Sequence, residues 1–385
     1  MSLFYQKTFF IQMSWKGNIY MNQLTFGFIG LGLIGGSVAK ALKLAVPGCK
    51  IIAFDKDGQA LLLAKEEKTV DIVCTDVDDS FSSCDVFFLC TPVDFNAKYL
   101  SRIKAIRKPG SIITDVGSVK KTIHDEIRKL NLEDDFIGGH PMAGSERSGY
   151  SASRAGLLEN AYYILTPTTS VSMDKVEFLS TIMKKAGSIP IIMSEDKHDT
   201  VTAAISHLPH MAAYALVNLI HDSDDPDHTM KLIAAGGFKD ITRIASSSPI
   251  MWQQICGENK EKLLDFMDRY IAELSSLRSS IEKEDNRYLY DYFLNAKDYR
   301  NDFNDVISGP ISRSYRLTVS IPDETGIIAR LSGMFAENGI NLKNMGIVHN
   351  REFEEGALRI EFYDESSLKE AILVLKETEY TIYTK

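Results

Sequence analysis

Residues 136–146, FIGGHPMAGSE, place a single histidine between a strand-like run and a loop. Gly138 and Gly139 precede His140, and Pro141 follows it. The glycines let the chain leave a sheet in a conformation that other residues resist, and the proline restricts His140 to extended geometry. Because imidazole titrates near neutrality, it can take the proton of a hydroxyl while hydride leaves the same carbon. The segment therefore predicts His140 as a catalytic base, with a strand-capping loop histidine as the alternative.

Two more polar residues follow strand-like runs, Thr91 in LCTPVD and Ser118 in TDVGSVK. Ligands of open α/β sheets bind beyond the carboxyl ends of the strands. Since Thr91, Ser118 and His140 each follow a different run, they are predicted to converge on one nicotinamide ring. Ser118 has a second interpretation, because it precedes VKKTIHDEI and could serve only as the cap of that helix.

A glycine-rich turn supplies the predicted cofactor site. GLGLIG carries G-x-G-x-x-G spacing after a strand and at the start of a helix, which is the context that dinucleotide binding requires. Asp55 ends the next strand about 20 residues later, where a carboxylate binds ribose hydroxyls and repels the 2′-phosphate of NADP. NAD is therefore the predicted cofactor, although the neighbouring cation Lys56 weakens that preference. The residues predicted to bind it are Gly30, Gly32, Leu33, Ile34, Gly35, Asp55, Thr91 and Pro92.

Cations and further histidines occur later in the chain. Lys239 and Arg243 in GGFKDITRIA are four residues apart and share a helix face, where like charges repel unless an anion lies between them. Arg243 could bind a carboxylate through two hydrogen bonds. Two solvated surface charges, screened by Asp240, are the alternative. Polar side chains on one face of the apolar run HDTVTAAISHLPHMAAYALVNLI also need partners. These second-rank candidates are His198, Ser206, His207 and His210.

Hydrophobic patterning predicts the elements that position these residues. Strand-like and helical runs alternate from Leu24 to about Ser194, which predicts an α/β Rossmann-type doubly wound parallel sheet. The pattern then becomes helical, and its apolar run predicts a buried helix in a domain or subunit core, kinked at Pro209. A final βαββαβ pattern predicts a small α+β ferredoxin-like unit. The predicted divisions are an N-terminal extension (1–20), a dinucleotide-binding domain (21–194), a helical substrate-binding and dimerisation domain (195–307), a linker (308–313) and the small unit (314–385).

The composition argues against several classes of protein. Net charge is −9 and the isoelectric point is about 5.5, which argues against nucleic acid or an anionic membrane as a partner. The five cysteines are odd in number and lack CxxC spacing, so reduced thiols in the cytoplasm and no metal site are predicted. Residues 1–20 are too short and too polar to span a bilayer, and they lack a signal-peptide pattern.

Five segments together resemble a known family. GLGLIGGS, DVGSVK, GGHPMAGSE, SHLPH and GGFKDITRIASSSPIMW occur in this order in prephenate dehydrogenases, and the resemblance covers Leu24 to about Asn304. It implies a dimeric enzyme of tyrosine biosynthesis that oxidatively decarboxylates prephenate to 4-hydroxyphenylpyruvate with NAD. It also implies that His140 accepts the proton of the substrate's ring hydroxyl, that Ser118 assists there and orients His140, and that Arg243 binds a substrate carboxylate. The implied pocket residues are Glu146, Lys239, His210 and Trp252.

The tail resembles an ACT domain, a βαββαβ module that binds amino acids between paired subunits. IPDETGIIARLSGMFAENGINL matches its first strand, turn and helix, with Asp323 and Gly326 at the turn. The resemblance implies tyrosine as the effector of a regulatory domain. Backbone N–H groups near a helix start suit an amino acid carboxylate.

Three alternatives stay open. An arogenate dehydrogenase accepts an amino acid side chain where prephenate has a keto acid, and sequence alone does not separate the two. A hydroxy-acid dehydrogenase of the 6-phosphogluconate type uses a lysine at the start of the helical domain, where Lys197 lies, but GGHPMAGSE argues against it. A non-enzymatic redox sensor would bind NAD and signal through its tail.

Overall fold

The fold is that of a computed structural model, which describes residues 24–92, 95–145, 147–306, 315–322, 324–348, 356–376 and 378–383. The chain forms two compact units, Met1–Glu273 and Leu274–Lys385. The divisions predicted from the sequence remain predictions, and the extension (1–20) and the linker (308–313) lie outside the described residues.

The first unit begins with a five-stranded parallel sheet in the order β3-β2-β1-β4-β5. The strand order reverses between β1 and β4, and ligands of open α/β sheets bind beyond the carboxyl ends of the strands at such a point. The predicted Rossmann-type sheet is therefore confirmed for this part of the chain. Its elements are β1 (Thr25–Ile29), α1 (Leu33–Ala45), β2 (Lys50–Phe54), α2 (Gly58–Glu66), β3 (Ile72–Cys74), β4 (Val86–Leu89), α3 (Asn96–Ile106), β5 (Ile112–Asp115) and α4 (Lys121–Lys129).

The strands of this sheet are buried on both faces. Every residue of β4, VFFL, is buried, as is every residue of β1 and β5. Phe28 and Phe88 stack with ring centroids 4.8 Å apart on the face that α1 covers, while Phe87 packs on the opposite face. Continuous apolar strands of this kind are stable only where helices exclude water from both sides.

Residues 137–192 form a second sheet rather than a continuation of the first. Its order is β6-β7-β8, with β6 antiparallel to β7 and β7 parallel to β8. The prediction that parallel strands continue to Ser194 is wrong here, because the described part of the 142–161 connection holds only short 3₁₀ turns and no crossover helix. One bridge, between Ile113 and Phe136, joins the two sheets. The elements are β6 (Ile137–Pro141), β7 (Tyr162–Pro167), α5 (Met173–Lys185) and β8 (Ile189–Ile192).

A helical region follows, as predicted. Its helices are α6 (Glu195–Thr202), α7 (Leu208–Ser223), α8 (Thr229–Ile233), α9 (Gly236–Thr242), α10 (Pro249–Glu258) and α11 (Lys260–Glu282). A wide π-turn, Ala203–His207, joins α6 to α7 immediately before Pro209, whose missing N–H interrupts the regular ladder.

The run Glu195–Ser223 is long and apolar enough to cross a bilayer, by length and composition only. Its first turns carry the buried His198 and Asp199, however, which hydrogen-bond to the dinucleotide-binding part of the unit. The expected burial of the rest is not met within a single chain. Ile205 and Leu219 are exposed, and Ala213 is the buried residue of α7.

The second unit contains the end of α11, then α12 (Asn286–Val306) and a four-stranded antiparallel sheet in the order β10-β11-β9-β12. Its core includes Leu317, Val319, Leu331, Phe335 and Leu375. The element order is the predicted βαββαβ, but an effector-binding ACT module remains a prediction. The elements are β9 (Tyr315–Ile321), α13 (Ile327–Glu337), β10 (Leu342–Val348), β11 (Gly356–Phe362), α14 (Glu365–Lys376) and β12 (Ile382–Tyr383).

Candidate active site

A cavity of about 260 Å³ lies beyond the carboxyl ends of β1, β2 and β4. Residues that line it include Gly30, Gly32, Asp55, Thr91, Pro92 and Tyr150. Leu33 and Ile34 begin α1 beside this cavity, and Gly35 packs that helix against the turn. Five of the eight residues predicted to bind the cofactor therefore line one pocket.

The glycine turn leaves this cavity open to a phosphate. Gly30 has φ +99°, and a Cβ there would lie 2.6 Å from the carbonyl oxygen of Cys90, so the turn requires glycine. A Cβ at Gly32 would meet nothing within 4 Å, and Gly32 is the N-cap of α1 without a side-chain cap. The N-terminus of α1 thus offers unpaired N–H groups and a positive field, which fit the pyrophosphate of a dinucleotide.

Asp55 holds the turn from the side of β2. Its Oδ2 accepts the N–H of Leu31 at 2.5 Å, and its Oδ1 accepts the N–H of Asp57 at 2.7 Å. A carboxylate oxygen has a second lone pair, so Asp55 can still accept a ribose hydroxyl while it fixes the turn.

The main chain before His140 is clamped by a buried ion pair. Asp115, at the end of β5, accepts the N–H of Gly139 on Oδ1 at 3.0 Å and binds the Nζ of Lys120 on Oδ2. The Lys120 side chain is fully buried, and its Nζ also donates to the carbonyl oxygen of Gly139 at 2.7 Å. A Cβ at Gly139 would lie 2.5 Å from the carbonyl oxygen of Asp115. Only glycine lets β6 approach β5 closely enough for this clamp.

The imidazole of His140 begins a chain of hydrogen bonds. Its Nδ1 lies 2.8 Å from the Nε2 of His198, whose Nδ1 lies 2.7 Å from the Oδ1 of Asp199. An ionised carboxylate only accepts, so His198 must donate from Nδ1 and accept on Nε2, and His140 must donate from Nδ1. The Nε2 of His140 is then left with its lone pair. The tautomer that a base requires is set by Asp199, two residues away along the chain of hydrogen bonds.

The pKa values agree with a neutral pair of imidazoles. Burial, and then the charges at His198, Lys120 and His207, lower the pKa of His140 well below its usual value. Burial also lowers the pKa of His198, although the hydrogen bond that His198 donates to Asp199 acts in the opposite direction. For Asp199 burial alone would raise the pKa, but the hydrogen bonds from His198 and from two backbone N–H groups outweigh it and lower the pKa. At neutral pH His140 is therefore a neutral imidazole, which donates from Nδ1 and can accept a proton on Nε2.

Asp199 also caps α4, which corrects one interpretation of Ser118. The two oxygens of Asp199 accept the backbone N–H groups of Lys120 and Lys121, each at 2.8 Å. The N-cap position of α4 is Lys120, without a side-chain cap of its own. The interpretation of Ser118 as a simple helix cap is wrong, because a carboxylate from α6 already binds those donors. The Ser118 hydroxyl has no hydrogen-bond partner among the described residues.

An aromatic cluster lies beside the Ser118 loop. Trp252, on α10, is 6% exposed and packs in one cluster with Val119, the neighbour of Ser118. The His210 ring lies 4.0 Å from the Trp252 ring, and its Nδ1 binds the carbonyl oxygen of Ser206 at 2.8 Å. The Trp252 Nε1–H is buried without a partner among the described residues. The structure therefore brings Trp252 and His210 together near Ser118, with an indole donor available to a ligand.

The predicted cations lie at the exposed side of this cluster. Lys239 is within α9 and Arg243 begins the 3₁₀ turn that follows it, so the predicted helical spacing is present, and both side chains are exposed. Burial is the first cause that lowers the pKa of His210, and the charge of Arg243 lowers it further, which puts the two groups within electrostatic range. Glu146 lies outside the described residues.

Sequence reasoning misses three residues of this site, Asp115, Lys120 and Asp199, and ranks His198 second. The available signals are weak: TDVGSVK carries an aspartate and a lysine five positions apart beyond a strand, and KHDT carries a carboxylate beside a histidine. Neither pattern says which strand or helix the other partner lies on, because the contacts join residues up to 79 positions apart.

Comparison with known proteins gives two family profiles. The profile described as "Prephenate dehydrogenase, nucleotide-binding domain" matches residues 38–191. The profile described as "Prephenate dehydrogenase, dimerization domain" matches residues 194–295.

Individual proteins are similar over most of the chain. Prephenate dehydrogenase of Bacillus subtilis is 40% identical over 362 residues, which cover 91% of this chain and 96% of that protein. The crystal structure of prephenate dehydrogenase from Aquifex aeolicus, in complex with hydroxyphenyl propionate and NAD+, has TM-score 0.68 and 32% identity, and covers 73% of this chain and 98% of that one. The structure of Synechocystis arogenate dehydrogenase has TM-score 0.66 and 28% identity, and covers 73% of this chain and 100% of that one.

Proposed function

The chain belongs to the prephenate dehydrogenase family, and from that premise we propose that it catalyses the oxidative decarboxylation of prephenate to 4-hydroxyphenylpyruvate with NAD. One observation carries the proposal: the Asp199–His198–His140 chain of hydrogen bonds, which leaves a lone pair on the Nε2 of His140. A base in that state suits a substrate whose hydroxyl must lose its proton as hydride departs.

The residues around the cavity fit the dinucleotide. Gly30 and Gly32 would leave room for the pyrophosphate, and Asp55, which lines the same cavity, would accept a hydroxyl of the adenosine ribose. NAD, when bound, accepts the hydride from the ring carbon that bears the hydroxyl.

His140 takes the hydroxyl proton and later returns it. Prephenate and NAD+ give 4-hydroxyphenylpyruvate, carbon dioxide and NADH with no net release of a proton. As the hydroxyl becomes a carbonyl its proton passes to His140, and as the carbon–carboxylate bond breaks its electrons make the ring aromatic. The resulting phenolate oxygen takes the proton back from His140. A charge that exists on His140 only between these events is stabilised by Asp199 through His198.

We assign roles to the other polar residues from the functional groups that they carry. Ser118 assists at the substrate hydroxyl and helps to orient His140, and the absence of a partner for its hydroxyl among the described residues supports this role. Arg243 binds one substrate carboxylate through two hydrogen bonds. The remaining residues that we propose to line the pocket are Lys239, His210, Trp252 and Glu146.

Purified protein with NAD and either prephenate or arogenate, followed by the absorbance of the reduced cofactor, tests the proposal. We expect a higher kcat/KM with prephenate than with arogenate, and with NAD than with NADP. A higher kcat/KM with arogenate would mean that arogenate and not prephenate is the substrate. The similarity to the Synechocystis arogenate dehydrogenase structure supports arogenate as the alternative. Binding of NAD without turnover of either acid would favour the redox sensor.

We further propose a cytoplasmic homodimer formed through the helical region. The family profile of that region is described as a dimerization domain, and helices α7 to α10 expose apolar side chains in the single chain. Leu219, Leu232, Ile233 and Ile250 are among them. A second copy that covers them would remove this surface from water, which stabilises association.

We also propose that tyrosine binds the second unit and inhibits the enzyme. The antiparallel sheet with two helices supports this, as does Gly326, which has φ +89° and precedes α13 without a side-chain cap, since helix N-termini favour carboxylates. Asp323, the other predicted effector residue, lies outside the described residues.

Comparison of the full chain with a variant that ends near Ser308 tests this regulation. We expect tyrosine to raise KM or lower kcat in the full chain by a coupling of about 1–3 kcal/mol, and to leave the shortened protein unaffected. Equal inhibition of both proteins would mean that tyrosine competes at the active site.

A further inference from the structure

Lys120 contacts both sets of groups that hold His140: those that bind the peptide before it and those that bind its imidazole. Its Nζ donates to the carbonyl oxygen of Gly139 at 2.7 Å and binds Asp115, which accepts the Gly139 N–H at 3.0 Å. Both polar groups of the residue before His140 are therefore fixed by one buried ion pair.

The second set of contacts runs from the Lys120 main chain to the imidazole of His140. The backbone N–H of Lys120 donates to Oδ1 of Asp199 at 2.8 Å, and that oxygen accepts from Nδ1 of His198. His198 then binds Nδ1 of His140 at 2.8 Å. The contacts form a closed ring that starts at the Lys120 side chain and returns to its main chain.

We propose that Lys120 is a positioning residue for the base: its side chain fixes the peptide that carries His140, and its N–H fixes the imidazole through Asp199 and His198. The inference rests on the proposed function, because it assigns Lys120 a part in the same proton transfer. A buried ion pair can often be replaced as a whole by apolar side chains at little cost, so Lys120 and Asp115 together are not needed for stability alone.

The charge of Lys120 has a second effect on the site. Burial is the largest cause that lowers the pKa values of His140 and His198, and the charge of Lys120 lowers both further. It therefore helps to keep both imidazoles neutral. Removal of the ammonium leaves the Asp115 carboxylate nearby, so both pKa values should rise. Among the described residues, the titratable and charged groups that act on His140 or on its partner His198 are Asp115 on β5, Lys120 before α4, Asp199 on α6 and His207 in the π-turn.

The test compares Lys120→Met and Lys120→Arg with a matched control, Lys43→Met. Lys43 makes the same pattern of contacts elsewhere in the unit, since its Nζ binds Asp71 and donates to the carbonyl oxygen of Cys49. For each protein the measurements are NAD binding, kcat and KM for prephenate across pH, and the ¹⁵N NMR signals of His140, assigned with His140→Asn.

We expect Lys120→Met to lower kcat by about 10²-fold with KM within about twofold, because a small misplacement of a catalytic group costs that much. The acid limb of its plot of kcat against pH should move to higher pH by about one unit. The His140 signal should titrate at higher pH, because the charge that lowers its pKa is gone, and should keep the tautomer with a bare Nε2, because the backbone N–H of residue 120 still binds Asp199. Lys43→Met should match the wild type in all three measurements.

Lys120→Arg keeps the charge but replaces the compact ammonium with a larger planar group, so kcat should fall while the acid limb stays in place. This variant also carries the test if Lys120→Met does not fold. The proposal is overturned if Lys120→Arg has wild-type kcat, or if folded Lys120→Met keeps both the acid limb of its kcat profile and the pH at which the His140 signal titrates. The NMR measurement does not depend on turnover, so it judges the inference even if prephenate is not the substrate.

Discussion

The surroundings of His140 and the segment that carries Lys239 and Arg243 differ in how completely one chain builds them. Around His140, the buried Lys120 ammonium pairs with the buried Asp115 carboxylate. Gly139, Asp199 and His198 each make hydrogen bonds to two other groups. In helices α8 and α9, both wholly described, no residue is buried, and Leu232 and Ile233 are 81% and 71% exposed.

The difference separates two functions of the site. A base must be held in one tautomer and one orientation, and a single chain can provide that through short-range hydrogen bonds. Arg243, which we propose binds a substrate carboxylate, follows helices whose apolar side chains are exposed in the single chain, so we expect its orientation to depend on what covers them. We infer that proton transfer is built within each chain and that substrate binding is completed by assembly.

The largest effect should come from His140→Asn. The amide cannot accept the hydroxyl proton, so kcat should fall by about 10²–10⁴-fold while NAD affinity stays unchanged. Steady-state kinetics and calorimetric titration with NAD check the two parts. A variant with near-normal kcat would show that His140 is not the base, and the contrast between a base held by one chain and a substrate site completed by assembly would then fail.

Leu232→Glu should weaken the proposed dimer. Each copy loses about 1.5–3 kcal/mol of apolar burial, so a symmetric dimer should have its Kd raised at least about 100-fold. Sedimentation measures the dimer, and prephenate KM measured above and below the new Kd shows whether binding follows assembly.

Leu44→Glu is the matched control for that variant. Leu44 is 76% exposed on α1, close to the exposure of Leu232, but it lies in the dinucleotide-binding region. If both variants remain dimeric, the exposed helices are not the interface.

Arg243→Ala should mainly raise KM, because a carboxylate contact is made in the ground state and the transition state alike. The lost charge-assisted bond should cost about 1.5–3 kcal/mol, or roughly 10–150-fold in KM. Arg278→Ala, at an exposed arginine of α11, is the control. An unchanged KM would make Arg243 a surface charge.

The smallest effect concerns acid stability. Burial lowers the pKa of His207 to about 4, and its Nδ1 lies 3.2 Å from the Nδ2 of Asn259, which also binds the carbonyl oxygen of Asp199. The unfolded chain takes up the proton near pH 6.5 and the folded chain does not, so stability present above that pH is lost as the pH falls. The loss from pH 7.5 to 5.5 should be about 1.3 kcal/mol.

Denaturant titrations of His207→Gln at these two pH values measure that contribution. The variant should lose about 1 kcal/mol less stability than the wild type over this range. His221→Gln, at an exposed histidine of α7, should behave as the wild type. Equal pH dependence in all three proteins would mean that His207 is not held neutral by its surroundings.

The sequence predicted the parts of this molecule whose signals are local. The glycine turn, the parallel strands β1 to β5 and the helical region from residue 195 follow from spacing and periodicity, which neighbouring residues determine. The antiparallel return of β7 was not predicted, because its direction depends on how the connection 142–161 packs rather than on its composition.

By itself the sequence determined that His140 stands in a stiff, extended segment and that a dinucleotide turn precedes it, since proline, glycine and their spacing act on the nearest bonds. Only the tertiary structure decided which nitrogen of His140 is free. That choice depends on Asp199, which lies 59 positions away and acts through His198, while the N–H of Lys120 holds Asp199 in place. Hydrogen bonds act over about 3 Å whatever the separation along the chain, so the state of the base is set by packing and not by sequence order.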